Sequence, residues 1–464
     1  MRSPRGRGRL LAVARVLLTV AGLVLPLAGS LRAQDTSVID RGVRLGIFYR
    51  PGVRPGVVVL PDPSAALDSV RTILARDLDY SDRFEMITLP GGDSIRVSVA
   101  APRGSRAAGA PEHGGGEASL NYPLYQALGA DFAIGIAGGD TTRVTVFDIA
   151  AGAVRRTVAA RLPPAASPRF RMAVHHLADQ VVQTAVGTTG IAATRVLFVI
   201  DGKLYQIDAD GAGLKELRAA GEREVLSPAW SRDGRRITYM EFWSGHGQLF
   251  VQEVGGARHA ATDGTALDFT PAFSPDGKTL VFSRATEEGT DVYAINVRDN
   301  CCLQRLTVGR FSDNLSPVYS PDGQRIAFVS TRAGLPQIYV MAADGTDEQL
   351  FAPFDYGVTG SSNAPDWSPD GQSVAFHRDV GGTLQVFVLD VRTRTVRQLT
   401  SLARNTDPTW APDSRHLAFV SDRSGYRQLW VIDMETGRIR ALLEQSGVRL
   451  PAWSPLLPET ESVP

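Results

Sequence analysis

The sequence predicts an α/β N-terminal domain followed by an all-β six-bladed propeller that is closed by the C-terminal strand. Two observations carry this prediction. A Pro-x-aromatic-Ser-Pro-Asp-Gly string recurs along the second half of the chain, and its leading prolines stand 43 to 48 residues apart. A period in the forties, with strand patterns and no helical ones, is typical of propeller blades, each of which is a small antiparallel sheet.

The repeated string predicts a tight turn between two strands. Its leading prolines are Pro228, Pro271, Pro317, Pro365, Pro408 and Pro451. In Ser-Pro-Asp-Gly, proline presets φ, aspartate bonds the local backbone and glycine accepts a positive φ, so the chain reverses there. Alternating strands follow, such as Arg325–Ser330 and Gln337–Met341. We expect the repeated Trp, Phe or Tyr to pack between neighbouring blades and not to form a ligand cage.

The two ends of this region predict how the ring closes. The last copy, Pro451–Pro455, has no further strands after it, whereas Thr194–Ile200 and Lys203–Ile207 look like a second and a third strand without a first. The C-terminal strand should therefore complete the blade that begins near Thr194. This pairing closes six blades over residues 191–464 and leaves no open sheet edge.

Residues 34–190 predict a small α/β domain. A buried strand at Gly56–Leu60 precedes Asp62 and Pro63, which suit the start of a helix. A first helix presents the apolar face Leu67, Val70, Ile73, Leu74 and Leu78. Two alternating strands follow at Ala133–Ile136 and Arg143–Ile149. A second helix presents the apolar face Phe170, Val174, Leu177, Val181 and Ala185. A Gly-, Ala- and Pro-rich stretch at 101–119 predicts a mobile loop.

Residues 1–33 predict a secretory signal peptide. They hold six arginines and no acidic residue, and an apolar run extends from Leu10 to Leu27. Arg15 and Pro26 shorten this run below the length of a membrane span, which disfavours an anchor. Cleavage is expected after Ser30 or Ala33, and the mature protein is expected to be exported to the periplasm. Removing six of the 49 basic residues leaves 43 against 49 acidic ones, a net charge of about −6.

Several classes of function lack support in the sequence. The balanced charge gives no footprint for nucleic acid, and two cysteines cannot build a disulfide framework. No Gly-x-Ser-x-Gly elbow is present, and the seven histidines are scattered, so we expect no catalytic residue, no metal and no cofactor. His175 and His176 are adjacent on a predicted helix and are interpreted as packing or surface residues. The adjacent Cys301 and Cys302 are compatible with a vicinal disulfide or with two thiols.

The chain resembles the TolB family, the periplasmic component of the Tol-Pal system. The resemblance is carried by Ser227–Ser231 with Asp233-Gly234, by the later Ser-Pro-Asp-Gly repeats and by Pro451–Pro455. In the N-terminal domain it is carried by Ile73–Leu78 with Phe84, Leu128–Asp131, Val146–Asp148, Ala173–Asp179, Gly187, Gly190 and Thr194-Arg195. Departures are Tyr125 in place of a usual Trp, Arg232 and Ser414 in two turns, and an enlarged loop at 101–119.

This resemblance implies a non-enzymatic protein that supports outer-membrane integrity and cell division. The propeller would bind the peptidoglycan-associated lipoprotein Pal, which would also give peripheral association with the outer membrane. A segment after the cleavage point, Asp35–Arg44, would contact TolA, and its expected contact residues are Asp35, Val38, Ile39 and Arg41. Alone, the protein is expected to be a monomer.

Propeller topology predicts which surface binds the partner. The loops leading into the innermost strands lie at one end of the ring, opposite the tight turns, and they vary more in sequence. Their polar and aromatic groups are the candidate partner-binding residues: Asp268, Phe269, Asp313, Asn314, Asn363, Arg404 and Asn405. The alternative for each of them is a structural role as a cap of a strand end.

Two other functions remain open at the level of sequence. One is a secreted propeller enzyme, lyase- or peptidase-like, which would cluster histidine and acidic side chains on its innermost strands. Those positions carry mainly Ser, Thr, Val, Ala and aromatic residues here. The other is a propeller scaffold or sensor with a different partner.

Overall fold

A computed structural model describes residues 54–61, 67–89, 120–138, 141–218, 223–309, 311–352 and 360–459. The predicted signal peptide, its cleavage point, the segment Asp35–Arg44 and the loop 101–119 lie outside these residues. Over the described residues the chain forms an α/β domain and a six-bladed propeller, which confirms the predicted fold class. No helix among the described residues combines the length and the apolar character that crossing a bilayer requires.

The α/β domain is built on a five-stranded mixed sheet. Its order is β2-β1-β3-β4-β5, with β1 parallel to both neighbours and the rest antiparallel. The strands are β1 (Gly56–Val59), β2 (Glu85–Met86), β3 (Phe132–Ala137), β4 (Thr142–Asp148) and β5 (Ala153–Ala160). The helices are α1 (Asp68–Tyr80), α2 (Tyr122–Ala127) and α3 (Phe170–Val186).

The predicted apolar faces of the two long helices are confirmed. The ten predicted residues of these faces are all buried and pack with β3 and β4 in one core. Helix α1 begins at Asp68 with Leu67 as its N-cap, after the predicted Asp62-Pro63 start, which lies outside the described residues. Helix α3 ends at Gly187, whose φ of 75° is the left-handed conformation that suits glycine at a helix C-terminus.

The propeller consists of six four-stranded antiparallel sheets. From the innermost strand outward, blade 2 is β9 (Glu224–Trp230), β10 (Arg236–Trp243), β11 (His246–Glu253) and β12 (Arg258–Ala260). Blade 3 is β13 (Asp268–Phe273), β14 (Thr279–Thr286), β15 (Gly289–Asn296) and β16 (Gln304–Arg305). Blade 4 is β17 (Asn314–Tyr319), β18 (Arg325–Ser330), β19 (Gln337–Ala342) and β20 (Gln349–Leu350).

The remaining blades follow the same order. Blade 5 is β21 (Ser362–Trp367), β22 (Ser373–Val380), β23 (Thr383–Asp390) and β24 (Val396–Gln398). Blade 6 is β25 (Asn405–Trp410), β26 (His416–Ser421), β27 (Gln428–Asp433) and β28 (Ile439–Leu443). Blade 1 is β29 (Arg449–Trp453), β6 (Arg195–Ile200), β7 (Lys203–Asp208) and β8 (Lys215–Arg218).

Ring closure by the last strand is confirmed. Strand β29 pairs with β6 in antiparallel register, with Trp453 opposite Val196. The buried indole of Trp453 donates its Nε1–H to Thr194 Oγ1 at 2.8 Å. The backbone N–H of Trp453 also donates to Thr409 Oγ1 of blade 6 at 3.1 Å. One strand therefore joins the first and the last blade.

The Ser-Pro-Asp-Gly turns adopt the predicted geometry. In blade 4, Ser320 Oγ donates to Asp322 Oδ1 at 2.5 Å and accepts the backbone N–H of Arg325 at 2.9 Å. Gly323 has a φ of 72°, the left-handed region that glycine tolerates. Ser414 takes the glycine position of blade 6 with a φ of 56°, and its hydroxyl accepts the N–H of Asp370 from blade 5 at 3.1 Å.

The repeated aromatic residues pack between blades, as predicted. Trp367, Trp410, Trp453 and Phe273 are at most 8% exposed. The indole N–H of Trp410 donates to the carbonyl of Asp366 in the preceding blade at 3.1 Å. These side chains belong to the inter-blade core and to its hydrogen bonding.

The ring has two different ends. The mouth is formed by the loops leading into the innermost strands and by the loops between second and third strands. The turn end carries the Ser-Pro-Asp-Gly turns, and the α/β domain contacts the propeller there, for example through Asp82 and His416.

Cys301 and Cys302 lie exposed between β15 and β16 and are joined in a vicinal disulfide.

Candidate functional site

The mouth brings together the starts of four innermost strands that carry the predicted partner-binding residues. All seven lie at or next to the first residue of β13, β17, β21 or β25. They divide into buried and accessible side chains. Asp268, Asn314 and Asn405 are fully buried, Phe269, Asp313 and Asn363 are half-buried, and Arg404 is exposed.

The three buried side chains are held by arginines. Arg284 donates to both carboxylate oxygens of Asp268, at 2.6 and 2.8 Å. Arg332 donates to Asn314 Oδ1 at 3.0 Å, and Arg423 donates to Asn405 Oδ1 at 3.0 Å. These contacts occupy groups that the sequence analysis offered to a partner. Their contribution to binding would therefore be indirect, through the position of the loops.

The arginine contact is a repeated feature of blades 3 to 6. In each blade an arginine stacks on the aromatic pair of the second and third strands and bonds the first residue of the innermost strand. The stacked guanidinium carbons lie 4.9 to 5.7 Å from the ring centroids; the arginines are Arg284, Arg332, Arg378 and Arg423. Blade 5 uses Ser362, whose Oγ accepts from Arg378 Nε at 2.9 Å. The geometry suits cation–π attraction. Each arginine therefore holds the start of an innermost strand against the second and third strands of its blade.

The electrostatics differ between these arginines. The hydrogen bonds that Arg284 donates to Asp268 raise the pKa of Arg284. Burial lowers the pKa of Arg423, which donates to Ser421 Oγ and Asn405 Oδ1. Arg404 and Arg427 are exposed on the same blade as Arg423. The mouth is thus rich in guanidinium groups at blade 6.

Exposed apolar side chains also gather on the mouth, and the sequence analysis missed them. Six large apolar residues on loops or at a strand end in blades 4 to 6, or on the loop leading to blade 4, are 44% to 96% exposed; they are Val308, Phe311, Leu335, Val380, Leu402 and Tyr426. Phe311 alone is 96% exposed. Apolar side chains together with arginine are typical of protein-binding surfaces. An aromatic residue in a polar inter-strand loop was the available signal.

The loop that carries Phe311 is anchored by a buried carboxylate. Asp291 of β15 is fully buried and accepts from Arg305 through two nitrogens, the Nε contact measuring 3.1 Å. It also accepts from Thr307 Oγ1 at 2.7 Å, from the N–H of Gly309 at 3.0 Å and from Asn314 Nδ2 at 3.0 Å. One side chain therefore holds both ends of this loop.

The central channel carries a second feature at its turn end. A cavity of about 490 Å³ is lined by the repeated aromatic residues and by the prolines of the turns. Arg232, which replaces a turn proline in blade 2, donates to the carbonyl of Pro321 in blade 4 at 3.4 Å. Its guanidinium therefore reaches from one blade to another at this opening.

A histidine–aspartate pair lies near the channel, where an enzyme would place its acid–base groups. His377 Nδ1 accepts the backbone N–H of Asp407 at 3.1 Å, and burial lowers the pKa of His377. Nδ1 is therefore committed to a structural hydrogen bond. The pair does not form the clustered acidic and histidine arrangement that the enzyme hypothesis requires.

Two groups of carboxylates and a histidine have the composition of a metal site. They are Asp77, His175 and Asp210, and Asp82, His416 and Asp433. Arg171 donates to Asp210, and Arg415 donates to both oxygens of Asp433 at 2.6 and 2.7 Å. Guanidinium groups therefore take the oxygens that a cation would use, and both groups are ion-pair networks between the two domains.

Comparison with known proteins gives consistent matches. The TolB beta propeller domain family matches residues 182–353 and 356–457. The Protein TolB homolog of Chlorobium luteolum is 28% identical over 239 residues, which are 49% of this chain and 53% of that protein. The Tol-Pal system protein TolB of Bordetella pertussis is 28% identical over 182 residues, 38% of this chain and 41% of that protein.

A solved structure supports the fold. TolB from Acinetobacter baumannii superposes with a TM-score of 0.70 and 22% identity, covering 87% of this chain and 98% of that chain. The matches to the curated relatives span about half of their length or less. The family match extends over most of the propeller and more than half of the chain, and the chain therefore belongs to the TolB family of beta-propeller proteins.

Proposed function

We propose that this protein is a non-enzymatic, periplasmic component of a Tol-Pal system whose mouth binds the lipoprotein Pal. The observation that carries the proposal is the set of exposed apolar residues and arginines at the mouth of blades 4 to 6. Relatives named for the Tol-Pal system support it. Through Pal the protein would associate with the outer membrane and support its integrity and cell division.

The exposed apolar residues of the mouth favour binding because their contact with water is unfavourable. When a partner covers large exposed apolar side chains, the free energy of the complex falls. Interfaces concentrate this gain in a few aromatic and arginine side chains. Phe311 and Tyr426 are aromatic residues that are 96% and 68% exposed, and Arg404 is an exposed cation on the same face. They are the accessible candidates for such contacts.

Replacing Phe311 and Tyr426 by alanine is expected to weaken Pal binding by roughly 30-fold or more, since hot-spot truncations cost about 2 kcal/mol. The measurement is calorimetric titration of the mature protein with the soluble part of Pal from the same cell. Val154→Ala is the matched control, because Val154 is a 53% exposed apolar residue of the α/β domain. Absence of any complex with the unmodified protein would refute the proposed function. Equal affinities for all variants would refute the mouth as the contact surface.

We further propose that Asp35–Arg44 contacts TolA, with Asp35, Val38, Ile39 and Arg41 as the contact residues. Trimming this segment from the mature protein is expected to abolish TolA binding and to leave Pal binding unchanged, because the mouth is built from other residues. Pull-down with the TolA periplasmic region and with Pal measures both. Loss of both interactions, or of neither, would contradict this division.

A further inference from the structure

Two buried histidines at the contact between the α/β domain and the propeller share one arrangement. Each imidazole faces one carboxylate of its own domain and one of the other domain. His416 Nδ1 lies 2.8 Å from Asp413 Oδ2 in its own blade, and His416 Nε2 lies 3.2 Å from Asp82 Oδ2 of the α/β domain. These three side chains are at most 3% exposed.

His175 of helix α3 has the same arrangement, but its imidazole belongs to the α/β domain and not to the propeller. Its Nδ1 lies 2.7 Å from Asp77 Oδ2 of helix α1 in the same domain. Its Nε2 lies 3.6 Å from Asp208 Oδ2 of blade 1. His175 and Asp77 are fully buried, and the Asp208 side chain is 7% exposed. Each domain therefore contributes one imidazole that faces a carboxylate of the other domain.

The placement of a carboxylate at each ring nitrogen selects one protonation state. A neutral imidazole carries a single N–H, and its second nitrogen presents a lone pair. Against a buried carboxylate that lone pair is repelled, because both groups are shielded from solvent. Only the imidazolium, with two N–H groups, is attracted to both carboxylates. Each histidine therefore joins the domains best when it is charged.

The charges around His416 agree with this assignment. Among the described residues, five carboxylates from blade 6, from the last turn of α1 and from the segment after it face this contact; they are Asp79, Asp82, Asp413, Asp433 and Glu435. Four guanidinium groups meet them; they are Arg83, Arg415, Arg438 and Arg440. The imidazolium supplies the fifth positive charge, so these ten charges balance when His416 is protonated.

The charges around His175 come from α1, α3 and blade 1. The carboxylates are Asp77, Asp179, Asp208 and Asp210, and the cations are Arg76, Arg171 and Arg195, with His176 adjacent on α3. Arg195 Nε donates to Asp208 Oδ1 at 3.0 Å, and Arg171 Nε donates to Asp208 Oδ2 at 3.4 Å. These bonds hold Asp208 in front of His175 Nε2.

We propose that His175 and His416 form a proton-dependent clasp that holds the α/β domain on the turn end of the propeller, and that loss of their protons at higher pH loosens this contact. The clasp is a property of the domain contact and does not depend on which partner binds the mouth. It would make the coupling between the two domains sensitive to the pH of the surrounding compartment.

The direction of the pH effect follows from the two histidines. Burial opposes the charge on His175, but Asp77 and Asp208 overcome it and raise its pKa from 6.5 to about 10. Burial likewise opposes the charge on His416, while Asp413 and Asp82 raise its pKa above 6.5. A group with a higher pKa in the folded state stabilises fully below its unfolded pKa, and this stabilisation is lost as pH rises through the folded value. Burial raises the pKa of Asp77 to about 6, so this carboxyl is ionised through most of the range between about 6.5 and about 10.

A titration of the mature chain carrying ¹⁵N-labelled histidine tests the protonation state directly. His175→Gln and His416→Gln assign the two sets of imidazole resonances, and the exposed His246 is the internal reference. At pH 7 we expect both nitrogens of His175 and His416 to be protonated. Neutral tautomers of the two buried histidines at pH 6.5 would overturn the proposal even if a variant failed to fold.

Thermal unfolding between pH 6.5 and pH 10 tests the consequence for the domain contact. Over this range the unfolding midpoint of the unmodified protein is expected to fall by several degrees more than that of the double variant His175→Gln, His416→Gln. His246→Gln is the control and should keep the original slope. Identical slopes for the unmodified protein and the double variant would refute the clasp. A midpoint that rises with Zn²⁺ and falls again with EDTA would assign the clusters to a metal and would refute it as well.

Discussion

Truncation of the chain after Gly447 is expected to prevent cooperative folding of the propeller. It removes β29, which is the innermost strand of blade 1. Strand β6 would then expose its hydrogen-bonding edge, and blades 6 and 1 would lose the contact through Thr409 and Trp453. Circular dichroism and calorimetry should record a broad, low-temperature transition in place of the unmodified one.

A single substitution in β29 measures how much ring closure contributes to stability. Trp453→Ala removes a 6% exposed indole and its hydrogen bond to Thr194, which should cost about 3–5 kcal/mol of the free energy of unfolding. Trp243→Ala is the control, because Trp243 lies half-buried on the mouth and is expected to cost less. A truncated protein with an unchanged unfolding midpoint would show that ring closure by β29 contributes little.

Asp291→Ala is expected to destabilise the propeller by about 3–5 kcal/mol and to weaken partner binding together with it. The variant leaves the guanidinium of Arg305 and the side chains of Thr307 and Asn314 without their shared acceptor. It also releases the N–H of Gly309, so the loop that carries Phe311 loses its anchor. Chemical denaturation measures the first effect and calorimetric titration with soluble Pal measures the second.

The matched control for Asp291→Ala is Asp263→Ala. Asp263 lies on another mouth loop, and among the described residues its hydrogen bonds reach Thr265 alone, two residues away. Its loss should change stability by less than about 1 kcal/mol, as expected for an exposed local contact. Equal effects of the two substitutions would mean that the buried acceptor has no special part in holding the mouth.

Repetition made the propeller predictable from sequence. Blades 2 to 6 repeat the same turn, with departures at Arg232 and Ser414, so a single physical argument about Ser, Pro, Asp and Gly applied five times. The remaining strand, Pro451–Pro455, then matched the one blade that lacked an innermost strand. The small domain had no repetition to help. Strand β5 was missed because a bulge adds Arg155 between the pairs Phe147–Val154 and Val146–Arg156, which breaks the alternation.

The chemistry of buried charges was beyond sequence reasoning for a different cause. His175 was interpreted as a packing residue because its carboxylate partners, Asp77 and Asp208, are distant in the chain. Asp268 was offered to a partner because a polar residue in a variable loop looks accessible, whereas Arg284 covers it in the folded protein. Exposure and burial depend on contacts between strands and between domains, and no local pattern encodes them.

The pairing of β29 with β6 also sets an order of events during synthesis. The groups that join these strands, such as Arg195 and Ser454, are 259 residues apart in the chain. A ribosome adds on the order of 5–20 residues per second, so the first blade waits many seconds for its innermost strand. Throughout this delay the ring cannot lock. For a chain that must be threaded unfolded through a membrane pore, as export would require, such late locking keeps the polypeptide threadable until the closing strand has been made.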